Sequence, residues 1–280
     1  MNYISLFAGA GGGDIASQHF KGWTCKAYVE FGDYAQQVLK ARIADGHLDD
    51  APVYSDIRDF IADGTVHQYK GVDALTAGFP CQPFSVAGEQ GAEDDDRNMW
   101  PQTAECIRII RPRIAYLENV AGLLSSSHRY FGRILGDLAD LGYDAEWCVL
   151  SAQAVGAPHQ RKRLWMWPTP TKRDWKDSGD CANVPVNCLL GRAVKPSLEH
   201  GALNPDWVEW LMGWPRGWTN LEPMDSVVID PWDADPANDG SVSRITTVRK
   251  NRKNRLECTG NGQVPQCAAA AFDGLMERIK

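Results

Sequence analysis

The chain has 280 residues, a formal net charge of −7 and eight cysteines. Its length allows one large domain with a full core, and no apolar run reaches the ~20 residues that a membrane span needs. The first residues lack the basic, apolar and small-residue order of a signal peptide. Because the cysteines form no Cys-x-x-Cys motif, we expect neither a structural metal nor a disulfide framework, and we expect a reducing cytoplasm.

Short apolar strands alternate with helical patterns over the first 150 residues, which predicts a parallel α/β sheet. The predicted strands are Ile4–Phe7, Lys26–Glu30 and residues 72–77, 114–118 and 147–151. The predicted helices are Ile15–Phe20, Tyr34–Ile43 and residues near 101–110, 129–141 and 267–279. Right-handed crossovers bring the carboxyl ends of parallel strands to one edge of the sheet. We therefore expect one site, built from the residues that follow these strands.

The chain changes character at Pro168, where Pro, Asn, Asp, Gly and Trp become frequent and helical periodicity fades until Asp206–Met212. We predict that residues 1–167 and 259–280 form one domain. Residues 168–258 form a second, irregular region, either as one unit or split into 168–202 and 220–258.

A glycine-rich turn, Gly9–Gly13, joins the first strand to the first helix, which lets backbone N–H groups approach a ligand closely. Glu30 ends the next strand, about 20 residues on, where nucleotide-binding folds place a carboxylate on ribose hydroxyls. Asp56 ends the segment Val53–Ser55, in a place suited to an adenine amino group. These features at successive strand ends predict a nucleotide-like ligand.

Residues 78–85 read Gly-Phe-Pro-Cys-Gln-Pro-Phe-Ser and place Cys81 directly after a short apolar strand. Pro80 and Pro83 fix φ on either side of the thiol. A thiolate is a nucleophile only when it is partly exposed and electrostatically supported. The Gly- and Asp-rich stretch Val86–Arg97 is typical of a loop that closes over a site. The pattern favours a nucleophilic Cys81 over a buried, inert cysteine.

Three charged residues follow later strands. Glu118 ends a buried strand and either caps the next helix or works as an acid. Arg161 and Arg163 alternate, so both project to one face of a strand. A solvated strand edge is the alternative for this pair.

In this order the segments resemble the DNA (cytosine-5) methyltransferases of bacterial or phage type. The shared blocks are Phe-x-Gly-x-Gly-Gly (7–12), Glu-Phe (30–31), Asp-Ile (56–57), Gly-Phe-Pro-Cys-Gln-Pro-Phe-Ser (78–85), Glu-Asn-Val (118–120), Gly-x-Pro-x-x-Arg-x-Arg (156–163) and Gly-Asn (260–261). The resemblance implies a Rossmann-like, doubly wound, mostly parallel sheet of the S-adenosylmethionine-dependent methyltransferase fold, with a small irregular DNA-recognition region. Residues 1–167 with 259–280 would be the catalytic, cofactor-binding domain, and 168–258 the target-recognition region.

The resemblance also implies the ligands: S-adenosyl-L-methionine as cofactor, double-stranded DNA as partner, no metal, and a monomeric protein. The implied cofactor-binding residues are Phe7, Gly9, Gly11, Gly12, Glu30, Phe31, Asp56, Ile57, Pro80, Trp100 and Asn261. Gln82 and Ser85 would accompany extrusion of the base from the duplex.

A covalent reaction is implied as well, with Cys81 as the nucleophile that adds to cytosine C6. Glu118 would hold and protonate the N3 edge of the base, and Arg163, with Arg161, would bind near O2. The methyl group would then pass to C5. Because a stacked base is out of reach, the cytosine must leave the duplex, at a few kcal/mol of unstacking.

A run of cations lies within the second region. Arg244–Arg255 contains six Lys and Arg and no acid, whereas residues 1–157 hold 12 Lys/Arg and 21 Asp/Glu. We predict that Arg249, Lys250, Arg252 and Lys253 contact the DNA backbone. A solvated face is the alternative interpretation.

Other functions share parts of this pattern. An RNA cytosine-5 methyltransferase would use the same blocks, although a separate segment with clustered Arg and Lys favours duplex DNA. A catalytically silent DNA-binding homologue would have no need of Cys81, Glu118 and Arg163 together. A Rossmann oxidoreductase would need a Gly-x-Gly-x-x-Gly spacing that the chain lacks. One departure from the family concerns Ser5, which stands where the family usually has an acid.

Overall fold

The computed structural model describes residues 1–80, 98–125, 130–170 and 202–278. The described strands are β1 (Asn2–Leu6), β2 (Thr24–Val29), β3 (Val53–Tyr54), β4 (Ala74–Ala77), β5 (Ile114–Val120), β6 (Tyr143–Ser151), β7 (Lys162–Pro170), β8 (Ala202–Leu203) and β9 (Ile245–Thr246). The described α-helices are α1 (Gly12–Ile15), α2 (Asp33–Ala44), α3 (Ile57–Ala62), α4 (Trp100–Ile110), α5 (Tyr130–Asp140), α6 (Pro205–Leu211), α7 (Arg252–Asn261) and α8 (Pro265–Arg278). A π-helical turn, Ala16–Phe20, continues α1.

Seven of these strands form one sheet in the order β3-β2-β1-β4-β5-β7-β6. Strands β1 to β5 pair in parallel, and β7 runs antiparallel to both β5 and β6. The sheet is therefore mixed α/β and mostly parallel, as the sequence predicts. Because β1 and β4 lie side by side at its centre, their carboxyl ends meet there, together with those of β2 and β5.

Both faces of the sheet are covered, which explains why the central strands are apolar throughout. In β1, Tyr3 enters a core cluster with residues of α1, α2, α6 and α8. Ile4 and Leu6 point the other way, into a cluster with residues of α3, α4 and α5. The alternation follows from the two-residue period of a strand.

The described elements differ from the sequence prediction in extent. β6 begins at Tyr143 and not at residue 147, because it pairs over its whole length with β7. β7 runs through the predicted domain boundary at 167 and ends at Pro170. Trp218, in the predicted second region, donates a hydrogen bond from Nε1 to the carbonyl of Ala10 over 2.6 Å. The domain division itself stays a prediction.

Among the described residues, no helix combines the length and the apolar character needed to cross a bilayer. The same part of the chain contains no cluster of three His, Cys, Asp or Glu side chains placed to hold a metal ion.

Candidate active site

The turn after β1 is held by Glu30, which follows β2. The backbone N–H of Gly9 donates to Glu30 Oε2 over 2.8 Å, and that of Gly32 donates to Oε1 over 2.7 Å. Burial raises the pKa of Glu30, and the two N–H donors partly offset that rise. Each carboxylate oxygen has two acceptor directions. Glu30 therefore fixes the turn and keeps acceptor capacity for the hydroxyls of a ligand.

The turn leaves open space beside Gly9, which fits a cofactor. The φ angles are +52° at Phe7, +57° at Gly9 and +89° at Gly11, in the left-handed region that favours glycine. A Cβ placed on Gly9 would meet no atom within 4 Å. Phe31, next to Glu30, exposes 69% of its surface. A bare backbone cradle, a carboxylate and an exposed aromatic ring together suit a nucleoside.

Asp56 and Ile57, predicted to contact the cofactor, begin α3. Asp56 caps the helix by accepting the backbone N–H of Arg58 over 2.8 Å. The Arg58 guanidinium also lies 2.7 Å from Asp56 Oδ2, and the hydrogen bonds from Arg58 lower the pKa of this carboxyl. Ile57 is buried in the core. The carboxylate of Asp56 is thus already paired in this structure.

Trp100, predicted to bind the cofactor, is 1% exposed. Its Nε1 donates to Asp137 Oδ2 over 2.7 Å, and its ring lies 5.5 Å from that of Phe79. These contacts anchor α4 to α5 and to the segment that leaves β4. Pro80, the last described residue of that segment, is exposed. Contact of either residue with a cofactor stays a prediction.

Glu118 and Arg163 meet where β5 and β7 run side by side. Arg163 pairs in register with Val120, two residues after Glu118, so the two side chains are diagonal neighbours on one face. Arg163 Nε lies 2.9 Å from Glu118 Oε1. Burial raises the pKa of Glu118, while Arg163, Arg161 and the amide of Gln263 lower it. Burial therefore disfavours the charged form of the Glu118 carboxyl more than its three neighbours favour it.

The guanidinium of Arg161 binds backbone carbonyls of the chain itself. Nη1 donates to the carbonyl of Gly260 over 2.8 Å, and Nη2 donates to that of Gly262 over 2.9 Å. Burial lowers its pKa to about 9. These bonds tie the end of α7 to the start of β7. The predicted contact of Arg161 with a base stays a prediction.

The exit of β4 borders Glu118. A Cβ on Gly78 would lie 3.1 Å from Glu118 Oε2. Cys81 follows Gly78 by three residues, so their Cα atoms are at most about 11 Å apart. Cys81, Gln82 and Ser85 themselves lie outside the described residues.

Three predicted cofactor residues lie where α1 and the C-terminal segment meet. Gly11 and Gly12 are buried, and a Cβ on Gly12 would lie 2.9 Å from the carbonyl oxygen of Gln263. Asn261 ends α7 and is exposed. Sequence reasoning missed Gln263, although it stands only two residues after Asn261, just beyond the Gly-Asn block.

A second missed residue is Asp14 of α1, which is 1% exposed. It accepts hydrogen bonds from Tyr3 Oη over 2.7 Å and from Ser5 Oγ over 3.2 Å. Burial raises the pKa of Asp14 to about 6. The sequence feature that could have pointed to Asp14 is Ser5, which stands where the family usually has an acid. In this chain a carboxylate reaches the same place from the helix opposite.

The basic run divides into two groups. Arg244 pairs with Asp235 over 2.7 Å, and Arg255 is buried between Asp206 and Glu209. These two cations are structural. Of the four predicted to bind DNA, Lys250 lies 3.0 Å from Glu222 on the surface. Within the described ranges, the other three form no salt bridge: Arg249, Arg252 and Lys253.

Comparison with known proteins agrees with this geometry. Residues 1–190 match the C-5 cytosine-specific DNA methylase family. Among curated proteins, the chain is similar to the Type II methyltransferase M.NgoMIV of Neisseria gonorrhoeae, with 30% identity over 63% of this chain and 58% of that protein. It is also similar to the Type II methyltransferase M.HpaII of Haemophilus parainfluenzae, with 36% identity over 59% of this chain and 44% of that protein. The chain thus spans about half the length of these relatives.

Solved structures share the fold. A mutant of Spodoptera frugiperda DNMT2 has a TM-score of 0.58 at 15% identity, covering 98% of this chain and 99% of its own. Entamoeba histolytica methyltransferase EhMeth has a TM-score of 0.57 at 14% identity, covering 100% and 99%. At these identities the likeness concerns the fold alone, and it confirms the predicted methyltransferase fold.

Proposed function

Because the chain belongs to the C-5 cytosine-specific DNA methylase family, we propose that it methylates C5 of a cytosine flipped out of duplex DNA. The methyl donor is S-adenosyl-L-methionine. One observation carries the proposal: the buried carboxyl of Glu118 borders the exit of β4, which leads to Cys81. The turn held by Glu30 lies at the same edge of the sheet. The segment that leads to Cys81, the proposed acid and the cofactor cradle thus share one edge of the sheet.

Bound S-adenosyl-L-methionine supplies an electrophilic methyl group on a sulfonium. Glu30 would accept hydrogen bonds from the two ribose hydroxyls through the acceptor directions that Gly9 and Gly32 leave free. The exposed ring of Phe31 would pack against the adenine. The remaining predicted residues of the cradle are Phe7, Gly11, Gly12, Asp56, Ile57, Pro80, Trp100 and Asn261.

The chain's own groups activate the base. The thiolate of Cys81 adds to C6 while the carboxyl of Glu118 delivers a proton toward N3, which leaves C5 nucleophilic. After C5 is methylated, water takes the C5 proton, the C5–C6 double bond re-forms as the thiolate is expelled, and the N3 proton returns to the Glu118 carboxylate. Arg163, paired with Glu118, donates toward O2 of the base. All of these groups lie in one chain, so a monomer suffices.

Burial suits Glu118 to this acid role. A buried carboxyl keeps its proton to a higher pH than an exposed one, because the charged form is desolvated. The pKa of Glu118 is raised for this reason even beside two arginines. A general acid works best when its pKa approaches the working pH.

DNA meets the protein on the side of the basic run. Arg249, Lys250 and Lys253 are exposed, and Arg252, the first residue of α7, is half-buried. Phosphate contacts supply affinity without sequence information. Gln82 and Ser85 follow Cys81 closely and accompany the extruded base.

A direct assay tests the proposal. Duplex DNA and transcribed RNA of matched sequence are each incubated with the protein and methyl-labelled S-adenosyl-L-methionine, then digested to nucleosides. We expect 5-methyldeoxycytidine from DNA, and bisulfite sequencing then gives its positions. Label in RNA alone, or in a nucleoside other than 5-methyldeoxycytidine, would contradict the proposal.

A further inference from the structure

The segment between α7 and α8 is held rigidly against the sheet. Arg161 binds the carbonyls of Gly260 and Gly262. Trp214 Nε1 donates to the carbonyl of Gln263 over 2.7 Å. These hydrogen bonds fix the backbone around Gln263 from both sides. The Cα from which its side chain extends therefore has a defined position.

One end of the Gln263 side chain lies against the glycine turn. A Cβ on Gly13 would lie 2.6 Å from Gln263 Oε1, and one on Gly12 would lie 2.9 Å from its backbone carbonyl oxygen. Real Cβ atoms do not approach polar atoms so closely. Because the atom close to Gly12 is backbone, only glycine leaves room there, and the start of α1 and Gln263 pack closely together.

The other end of the side chain lies against the proposed acid. A Cβ on Gly78 would lie 3.1 Å from Gln263 Nε2 and also 3.1 Å from Glu118 Oε2, so both groups border the same exit of β4. The amide of Gln263 also lowers the pKa of Glu118. Arg163 approaches the other oxygen, Oε1. The carboxyl therefore has a different neighbour at each oxygen.

We infer that Gln263 is a positioning residue, which fixes the plane of the Glu118 carboxyl so that its free acceptor and proton positions face the base. The inference rests on the proposed function. Arg163 alone leaves the carboxyl free to turn about its last bond, and a second donor removes that freedom. The side chain of Gln263 thereby also fixes the position of the cofactor turn relative to the Glu118 carboxyl.

Glu118 has few charged neighbours among the described residues. Arg163 faces it from β7, Arg161 from the residue before that strand, and Cys267 from α8 with a pKa raised by burial to about 12. Cys267 is therefore neutral near pH 7, and only the arginines and Gln263 favour the charged carboxylate. Removing the amide of Gln263 should raise the pKa of Glu118.

Three variants separate positioning from simple packing. Gln263→Met keeps the length of the side chain and loses the donor, Gln263→Glu replaces the donor with a second acid, and Gln263→Asn keeps an amide too short to reach Glu118. Gln266→Met is the matched control, because Gln266 lies one position into α8 and binds the carbonyl of Gly213 instead. Each is assayed for single-turnover methylation of saturating DNA across pH.

We expect Gln263→Met and Gln263→Asn to slow methylation roughly 10- to 150-fold near pH 7, the effect of one hydrogen bond to a charged group. The reaction needs the protonated acid, so activity falls as pH rises through the pKa of Glu118. When the donor is removed, activity should fall at a higher pH than in the unaltered protein. In Gln263→Glu it should fall at a higher pH still. The profile of Gln266→Met should match that of the unaltered protein.

A second readout does not depend on activity. Protein labelled with ¹³C at the glutamate carboxyls is titrated by NMR, and Glu118→Gln identifies the signal of Glu118. Gln263→Met should raise that titration midpoint even if the protein methylates nothing, which distinguishes failure of this inference from failure of the proposed function. An unchanged midpoint, or a rate lowered equally at every pH, would overturn the inference.

Discussion

Glu118 and Arg163 form an ion pair across two antiparallel strands, with 2.9 Å between Oε1 and Nε. The pair is diagonal because Arg163 stands in register with Val120. Truncating one partner of a buried pair leaves the other charge uncompensated. An isosteric change at Glu118 is therefore more informative than a truncation.

Glu118→Gln keeps an oxygen that accepts from Arg163 but offers no acidic proton to N3. General acid catalysis typically contributes ~10²–10⁴-fold, so methylation should slow by that order. Cofactor affinity should be unchanged. Single-turnover kinetics and calorimetry check the two expectations. Glu105→Gln, at a half-buried position of α4 paired with Arg108, is the control. A loss of less than tenfold in Glu118→Gln would remove the acid role.

Glu30→Ala removes the group that fixes the turn and accepts from the ribose. Hydrogen bonds to a charged group contribute about 1.5–3 kcal/mol, so cofactor affinity should fall roughly 10- to 150-fold. DNA binding without cofactor should hardly change. Calorimetry measures the first and a filter assay the second, with Asp33→Ala, at the exposed start of α2, as control. Unaltered cofactor affinity would exclude Glu30 from the site.

The basic run should set the salt dependence of DNA binding. Each lost phosphate contact reduces the slope of log K against log salt by about 0.9. Replacing Arg249, Lys250, Arg252 and Lys253 with alanine should flatten the slope by up to roughly 3–4, and by less if Lys250 stays with Glu222. Affinity should fall equally for target and non-target duplexes.

A matched set of cations controls for net charge. Lys26, Lys40, Lys70 and Arg113 are exposed on the first 150 residues. Their replacement with alanine removes the same charge and should leave the slope nearly unchanged. If both quadruple variants flatten the slope equally, the effect is one of net charge and the basic run is a solvated face.

Asp14 should make stability depend on pH. Its pKa is raised from 3.8 to about 6 by burial. The folded state therefore holds this proton more tightly than the unfolded state does. The free energy of unfolding that this difference contributes is fully present below pH 3.8 and is lost as pH rises through about 6. The loss is about 3 kcal/mol, since each pKa unit is worth about 1.36 kcal/mol.

Asp14→Asn should remove that loss, because a neutral amide still bonds Tyr3 and Ser5. Urea unfolding at pH 4 and pH 7.5 measures the difference between the variant and the unaltered protein. The exposed Asp50→Asn serves as control. Parallel pH dependence in Asp14→Asn and the unaltered protein would show that Asp14 does not titrate in this range.

Local pattern was enough to locate much of the site. Apolar strands followed by a glycine turn or an acid placed Glu30 directly after β2, where the structure has it. The expectation that Glu118 ends its strand was wrong, because β5 continues to Val120 through its pairing with β7. The two-residue period of a strand put Arg161 and Arg163 together. These relationships involve residues that are close in sequence, so the geometry of a strand is enough to predict where their side chains lie.

Contacts between distant segments could not be predicted. Gln263 lies beside Gly12 and Gly78 only because the chain returns to the sheet after α7, and no periodicity encodes that return. Arg255 belongs to the basic run in sequence, yet it is buried between Asp206 and Glu209. Charge counts alone do not distinguish a buried ion pair from a surface one.

The covalent role of Cys81 is the central claim, and trapping on modified DNA tests it most directly. Duplex DNA with 5-fluorocytosine at the methylated position is incubated with protein and S-adenosyl-L-methionine, and the denatured product is analysed by peptide mass spectrometry. The fluorine at C5 cannot leave as a proton, so the thiolate cannot be expelled. We predict a stable nucleotide adduct on the peptide that contains Cys81, and none in Cys81→Ala. A Cys81→Ala protein that still methylates ordinary DNA would contradict the account.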